Sequence, residues 1–153
     1  MNAKSKITIR YAKNSDRAIW LTLWADYCDH FKEQLGDNVT AFTWQRFFDE
    51  NAPLSCLIAE DENGTPVGFA THFTHIGTWT TKDICYLEDL YVSPRARCMG
   101  VGQLLLERLV ELGDEKGWYR IYWHTLADDN HAARALYDKF TSNSKMVCYR
   151  IAL

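Results

Sequence analysis

The stretch Ser93–Gly117, SPRARCMGVGQLLLERLVELGDEKG, places Gly100 and Gly102 one residue apart at the mouth of an apolar-periodic run. Val101, Leu104, Leu105, Leu109 and Leu112 follow helical spacing, while Glu107, Arg108, Glu111 and Glu115 take the other side and Gly117 supplies a stop. Just upstream, ICYLEDLYV (84–92) is rich in apolar, β-branched and aromatic residues and predicts a strand ending at Ser93-Pro94. A strand that feeds through Arg97-Cys98-Met99-Gly100-Val101-Gly102 into a helix presents several unpaired backbone N–H groups at the positive helix end, a place for an anion. Glycines let the backbone approach a phosphate, and Arg97 adds a charge-assisted contact. Neither familiar phosphate loop fits. A dinucleotide fingerprint needs glycine where Leu105 stands, and a P-loop needs lysine where Gln103 follows Gly102. Glycines that merely turn the chain into the helix are the plain alternative.

Working outward, ITIRYA (7–12) alternates as a first strand, and NSD precedes a helix over 16–31 whose buried face is expected at Ile19, Leu23, Tyr27 and Phe31. A second short helix is expected over 44–50, carrying Phe47 and Phe48. LSCLIAE (54–60) and PVGFATHFT (66–74) flank DENG, whose Asn63-Gly64 pair predicts a tight antiparallel hairpin because both residues can take positive φ at low cost. YRIYWHT (119–125) predicts a further strand, 132–139 a short helix, and MVCYRIAL (146–153) a closing strand. The order is β-α-α-β-β-β-α-β-α-β, an α/β (α+β) chain with a mixed sheet flanked by helices.

The 153 residues, 47% of them hydrophobic, form one domain over 1–153 with a core of its own. A formal charge of −3 and the lack of a Lys/Arg cluster argue against a nucleic-acid surface. No stretch approaches the roughly 20 apolar residues of a membrane span, and MNAKSKITIR lacks the apolar core of a signal peptide, so a cytoplasmic location is expected. Five scattered cysteines, odd in number and never in a C-x-x-C pair, point to reduced thiols rather than a disulfide framework or zinc knuckle. His72 and His75 are three apart in a strand, a spacing that splits their side chains, so no metal site is expected.

R-x-x-G-x-G after a strand and opening a helix resembles the pyrophosphate loop of the GNAT superfamily of acyl-CoA-dependent N-acetyltransferases. With YLEDLYV (86–92) before it and DDNHAARALYDK (128–139) after it, the chain is similar to the spermidine/spermine N-acetyltransferases and the yeast histone and other protein acetyltransferase group. The similarity spans essentially the whole chain and is strongest from Tyr86 to Lys139. Two departures stand out: Cys98 takes the place of a usual glycine, and DKFTSNSKM (138–146) lacks the glycine often found after the last helix.

The resemblance implies the GNAT fold, with a mostly antiparallel sheet, and acetyl-CoA as co-substrate. It implies contact with the cofactor at Leu90, Tyr91, Val92, Arg97, Cys98, Met99, Gly100, Val101, Gly102, Gln103, Asn130, Ala133 and Tyr137, with the Leu90 and Val92 main chain pairing with the pantetheine arm. In such enzymes an unprotonated amine attacks the thioester directly, which requires a base and an acid. The resemblance assigns Glu88 to deprotonating the amine through water and Tyr137 to protonating the CoA sulfur; a core tyrosine with its hydroxyl satisfied is the other reading of Tyr137. Asn130 lies seven residues before Tyr137, so the two share a helix face about 10 Å apart in rise.

Glu88 and Asp89 interrupt an apolar strand where unpaired carboxylates are costly, so something cationic or wet is expected beside them. Successive strand residues face opposite sides unless a bulge reorients one. The acceptor is expected to meet Trp79, Asp83, Glu88 and Asp89. It is a small-molecule or protein amine: a polyamine, an amino acid or a lysine. A homodimer is implied by the same groups, and a catalytically weak acyl-CoA-binding or sensing module is the rival function.

Overall fold

The computed structural model describes residues 6–153; residues 1–5, part of the stretch read for a signal peptide, lie outside the described residues. Residues up to Trp123 and residues from His124 onward form two compact units. In the first unit the order is β1 (Thr8–Tyr11), α1 (Arg17–His30), α2 (Asp37–Arg46), β2 (Leu54–Glu60), β3 (Pro66–His75), β4 (Ile84–Val92), α3 (Val101–Lys116) and β5 (Ile121–Tyr122). The second unit holds α4 (His131–Tyr137).

The sheet runs β1-β2-β3-β4-β5. Its first four strands form an antiparallel meander, and β5 joins β4 in parallel, as a strand returning after the α3 crossover must. The β2–β3 hairpin forms where DENG predicts it, but only Gly64 takes a positive φ, 75°. Asp61 caps the turn instead, its carboxylate accepting from the Asn63 and Thr65 N–H groups at 3.0 Å each.

Helix α1 buries Trp20, Leu23 and Trp24, with Tyr27 packed alongside, whereas Ile19 and Phe31 are exposed. The buried stripe is thus i, i+3, i+4, i+7 from Trp20 rather than the i, i+4 ladder from Ile19. The indoles decide this, because they bring the largest apolar surface to the sheet. Trp20 stacks on Trp24 at 5.3 Å, lies 5.0 Å from Trp44 of α2 and meets Phe69 of β3 at 6.3 Å. Helix α2 starts seven residues before the expected position and ends at Arg46, because Gly36 sits extended at its N-cap with Asp37 in the first turn. Phe47 and Phe48 therefore fall beyond its last residue.

Helix α3 matches its expected limits and buries Val101, Leu105, Leu106, Leu109 and Leu112 on the other sheet face; Gly117 ends it in the left-handed conformation. Arg108 on its outer side pairs with Glu111 at 3.0 Å and Glu115 at 2.9 Å.

Two expected strands differ. Only Ile121–Tyr122 of 119–125 pairs, and 146–153 forms no strand among the described residues. The closing segment follows a turn at Asn143–Lys145, with Lys145 at φ 59°, and its Met146, Val147, Tyr149 and Ile151 are all exposed. Alternation is present in these letters, but a strand exists only where a neighbouring strand receives its N–H and C=O groups.

Candidate active site

Strand β4 carries the two carboxylates, and its ladder to β3 slips at that point. Thr71 faces Asp89 while His72 faces Leu87, which leaves Glu88 as the extra residue of a β-bulge. Leu87 and Asp89, which an unbroken strand would aim at one face, therefore sit on opposite faces. Leu87 goes with His72 toward α3, and Asp89 goes with Thr71, Phe69 and Tyr91 toward α1. Glu88 is exposed and Asp89 is buried.

Among the described residues no cation pairs with Asp89. The Tyr27 hydroxyl from α1 and the buried Thr71 hydroxyl lie close to its carboxylate and favour its charged form. Burial nevertheless dominates and pushes the Asp89 carboxyl up to about 6, with the neighbouring Glu88 charge adding to the effect. Burial and the same carboxylate hold the Tyr27 hydroxyl protonated well above the ordinary phenol range. Tyr27 entered the sequence reading only as a member of an apolar helix face; its hydroxyl function depends on where β4 lies, which helical spacing does not report.

Toward the other edge, the β4–β5 ladder contains only Cys85–Ile121 and Tyr86–Tyr122. Beyond Tyr86 no strand pairs with that edge of β4 among the described residues, and this is the stretch where Leu90 and Val92 were expected to take an extended ligand. The Val92 carbonyl accepts from Arg97 Nε at 3.3 Å, which folds the arginine back against the strand end. Tyr91 and Val101 are buried in the core, leaving only their main chain for a ligand.

The loop into α3 is exposed at Arg97, Cys98, Met99 and Gly100. Gly100 is the N-cap of α3 at φ 78°, with open space where a Cβ would project. Cys98 is also left-handed, at φ 62°, a conformation a side chain disfavours and a glycine accepts freely. The glycine that the resemblance expects at this position would take the same conformation without strain. No side chain caps the first turn of α3, which leaves its N–H groups to whatever occupies the loop; Gln103 on that turn donates to Glu107 at 2.8 Å.

In the second unit Asn130 is the N-cap residue of α4 and donates through Nδ2 to Thr125 at 3.0 Å. Tyr137 closes the helix, with Ala133 between them half-buried. Burial raises the Tyr137 hydroxyl above its usual range and so keeps its proton in place.

The four residues expected around the acceptor do not form one cluster. Trp79 is 94% exposed, and Asp83 lines a cavity on the α3 side of the sheet, away from Asp89 on the α1 side. At the β4–β5 junction His75 meets aromatic partners that its spacing does not report: Tyr86 packs 4.9 Å from Tyr122, whose hydroxyl is 2.8 Å from His75 Nε2. Among the described residues no group of three His, Cys, Asp or Glu side chains is placed to hold a metal, and no helix is long and apolar enough to cross a membrane.

Comparison with known proteins follows the same lines. The pattern of the acetyltransferase (GNAT) family matches residues 17–141. The chain is 34% identical over 146 residues to a D-amino-acid N-acetyltransferase of Saccharomyces cerevisiae, covering 95% of this chain and 90% of that protein. It is 30% identical to a thialysine N-epsilon-acetyltransferase of Bos taurus, covering 86% and 81%. Among solved structures, a ribosomal-protein-alanine N-acetyltransferase from Brucella melitensis superposes with a TM-score of 0.81 over 97% of this chain and 100% of that one, at 18% identity. A five-stranded sheet opening beyond Tyr86, a left-handed glycine at the mouth of α3 and a family match across most of the sequence make this chain a member of the GNAT acetyltransferase family.

Proposed function

We propose that the chain is a transferase that moves an acetyl group from acetyl-CoA to a primary amine of a small molecule. The observation that carries this reading is the open edge of β4 running directly into an exposed, uncapped helix N-terminus with Gly100 left-handed. The main chain of Leu90 and Val92 suits the amide groups of a pantetheine arm, and the N–H groups of the 97–102 loop, with Arg97, suit a pyrophosphate. Amine nitrogen attacks the thioester carbonyl carbon; Glu88 takes a proton from the nitrogen, the C–S bond breaks, and the leaving sulfur takes the Tyr137 proton. Free CoA thiol and an N-acetyl product result. Exposure of Glu88 at the bulge supports relay through water, and the raised hydroxyl of Tyr137 supports its acid role.

Relatives named for D-amino acids, thialysine and spermidine/spermine support an acceptor that is a small amine. The odd, widely spaced cysteines support a reducing cytoplasm. A homodimer completes the reading, through the exposed alternating segment 146–153.

The test is thiol release from acetyl-CoA by the purified chain against D-amino acids, thialysine, spermidine, aminoglycosides and lysine peptides. Release above the acceptor-free blank with at least one amine is expected, and Tyr137→Phe should lower that turnover by about 100-fold. Unchanged turnover in Tyr137→Phe across pH removes the acid role. Binding of CoA in a calorimeter with silence from every acceptor replaces the transferase with a sensing module.

A further inference from the structure

We propose that the cavity beneath the C-terminal end of α3 is a binding site for a small zwitterion of the amino-acid type, held between Lys116 and Asp83 above His72. The cavity measures about 300 Å³ and is lined by Tyr11, Ser55, His72, Asp83, Lys116 and Trp118, among others. That volume lies at the small end of the range of ligand sites. It opens on the sheet face opposite Asp89, since His72 pairs with Leu87 and packs on Trp118, which in turn lies against Gly113 of α3. The proposal does not rest on acetyl transfer: Asp83, expected beside the acceptor, belongs to this cavity instead.

Three features point to a ligand. His72 is only 3% exposed, and its Nδ1 is buried with no hydrogen-bond partner. Buried polar atoms are rarely left unpaired, because they lose water without a replacement. Burial, with Lys116 nearby, holds the His72 imidazole neutral, down to about 4, so that one ring nitrogen remains an acceptor and the other a donor. Second, Lys116 and Asp83 bring opposite charges to the rim of the same small cavity, and among the described residues neither enters an ion pair. A lone anion would meet Asp83 and a lone cation would meet Lys116, whereas a molecule bearing both charges satisfies both. Third, the rim is fixed by main-chain bonds: Trp118 N–H donates to Gly113 at 2.9 Å, and Tyr119 N–H donates to the Asp83 carbonyl at 2.8 Å. The main chain at Trp118 and Asp83 is therefore held in register without a ligand, which lowers the ordering cost of binding.

The experiment is an NMR titration of the ¹⁵N-labelled full chain with L-alanine and β-alanine, and with propionate and ethylammonium as single-charge analogues, following the His72 ring nitrogens and the Trp118 indole N–H. Saturable shifts at both residues are expected with the zwitterions. Affinity should fall about tenfold for either single-charge analogue, and by a similar factor in Lys116→Gln and in Asp83→Asn. Glu88→Gln should leave the titration unchanged, which separates this site from an acceptor site on the other face. Silence at His72 and Trp118, an equal response to propionate or ethylammonium, or undiminished shifts in both charge variants overturns the proposal. Failure of every amine in the thiol-release assay would leave it standing.

Discussion

Two adjacent carboxylates in one strand acquire different chemistry because one residue is inserted between two registers. Asp89 lies among Tyr27, Thr71 and the aromatic core, while Glu88 stands in solvent. A folded-state carboxyl raised to about 6 binds a proton more tightly than the unfolded chain does, so it costs nothing below pH 4 and subtracts stability as pH rises toward 6. Asp89→Asn should therefore gain on the wild type between pH 4 and 7, by at most about 3 kcal/mol. Urea midpoints measured at several pH values check this; a constant difference would show that Asp89 does not titrate in that window. Glu88→Gln should lower turnover mainly at acid pH, where amine deprotonation limits. A turnover profile of unchanged shape would remove Glu88 as the base.

At the level of elements, β1 has only four residues and is held by more than its ladder. Arg10 donates to Glu60 of β2 at 2.7 Å and, through two nitrogens, to Asp16 at 2.8 and 2.9 Å in the turn before α1. The Asp16 carboxylate also accepts from the Lys13 N–H at 2.7 Å. One side chain thus ties a sheet edge, its neighbour and the start of a helix together. The Arg10 hydrogen bonds hold the Asp16 carboxyl below its usual range, so its contribution is present above the unfolded carboxylate pKa and is lost as pH falls through the folded one. Asp16→Asn should cost about 2 kcal/mol at pH 7, because it leaves a half-buried guanidinium short of a partner, and this cost should shrink on acidification. Thermal melts at pH 7 and pH 3 check it; an equal loss at both would mean that Asp16 acts by packing alone.

For the whole molecule, Met146, Val147, Tyr149 and Ile151 are exposed along a segment that alternates like a strand and has none beside it among the described residues. Such an edge is a template for pairing with another chain. The dimer reading predicts twice the chain mass by light scattering at micromolar concentration, and Val147→Lys with Ile151→Lys should return the mass to a monomer. A monomer from the wild-type chain rejects it.

The sequence alone determined the elements whose signals are local. The limits of α3 follow from a glycine entry, apolar spacing and a glycine stop, and the β2–β3 hairpin follows from a turn flanked by alternating runs. The glycine entry to α3 was legible for the same reason, since a left-handed glycine and a helix start are properties of a few successive residues. Tertiary structure decided the rest. Which stripe of α1 is buried depended on indoles meeting Phe69 across the sheet, and whether 146–153 is a strand depended on a neighbour. The division of Glu88 from Asp89 depended on a slip against Thr71 and His72 that no single strand can encode. Asp83 joined His72 and Lys116 rather than Asp89 because strand pairing and the α3 crossover set which face each side chain enters. Those choices depend on contacts between residues far apart in the chain, and their free energies exist only once the partners have met.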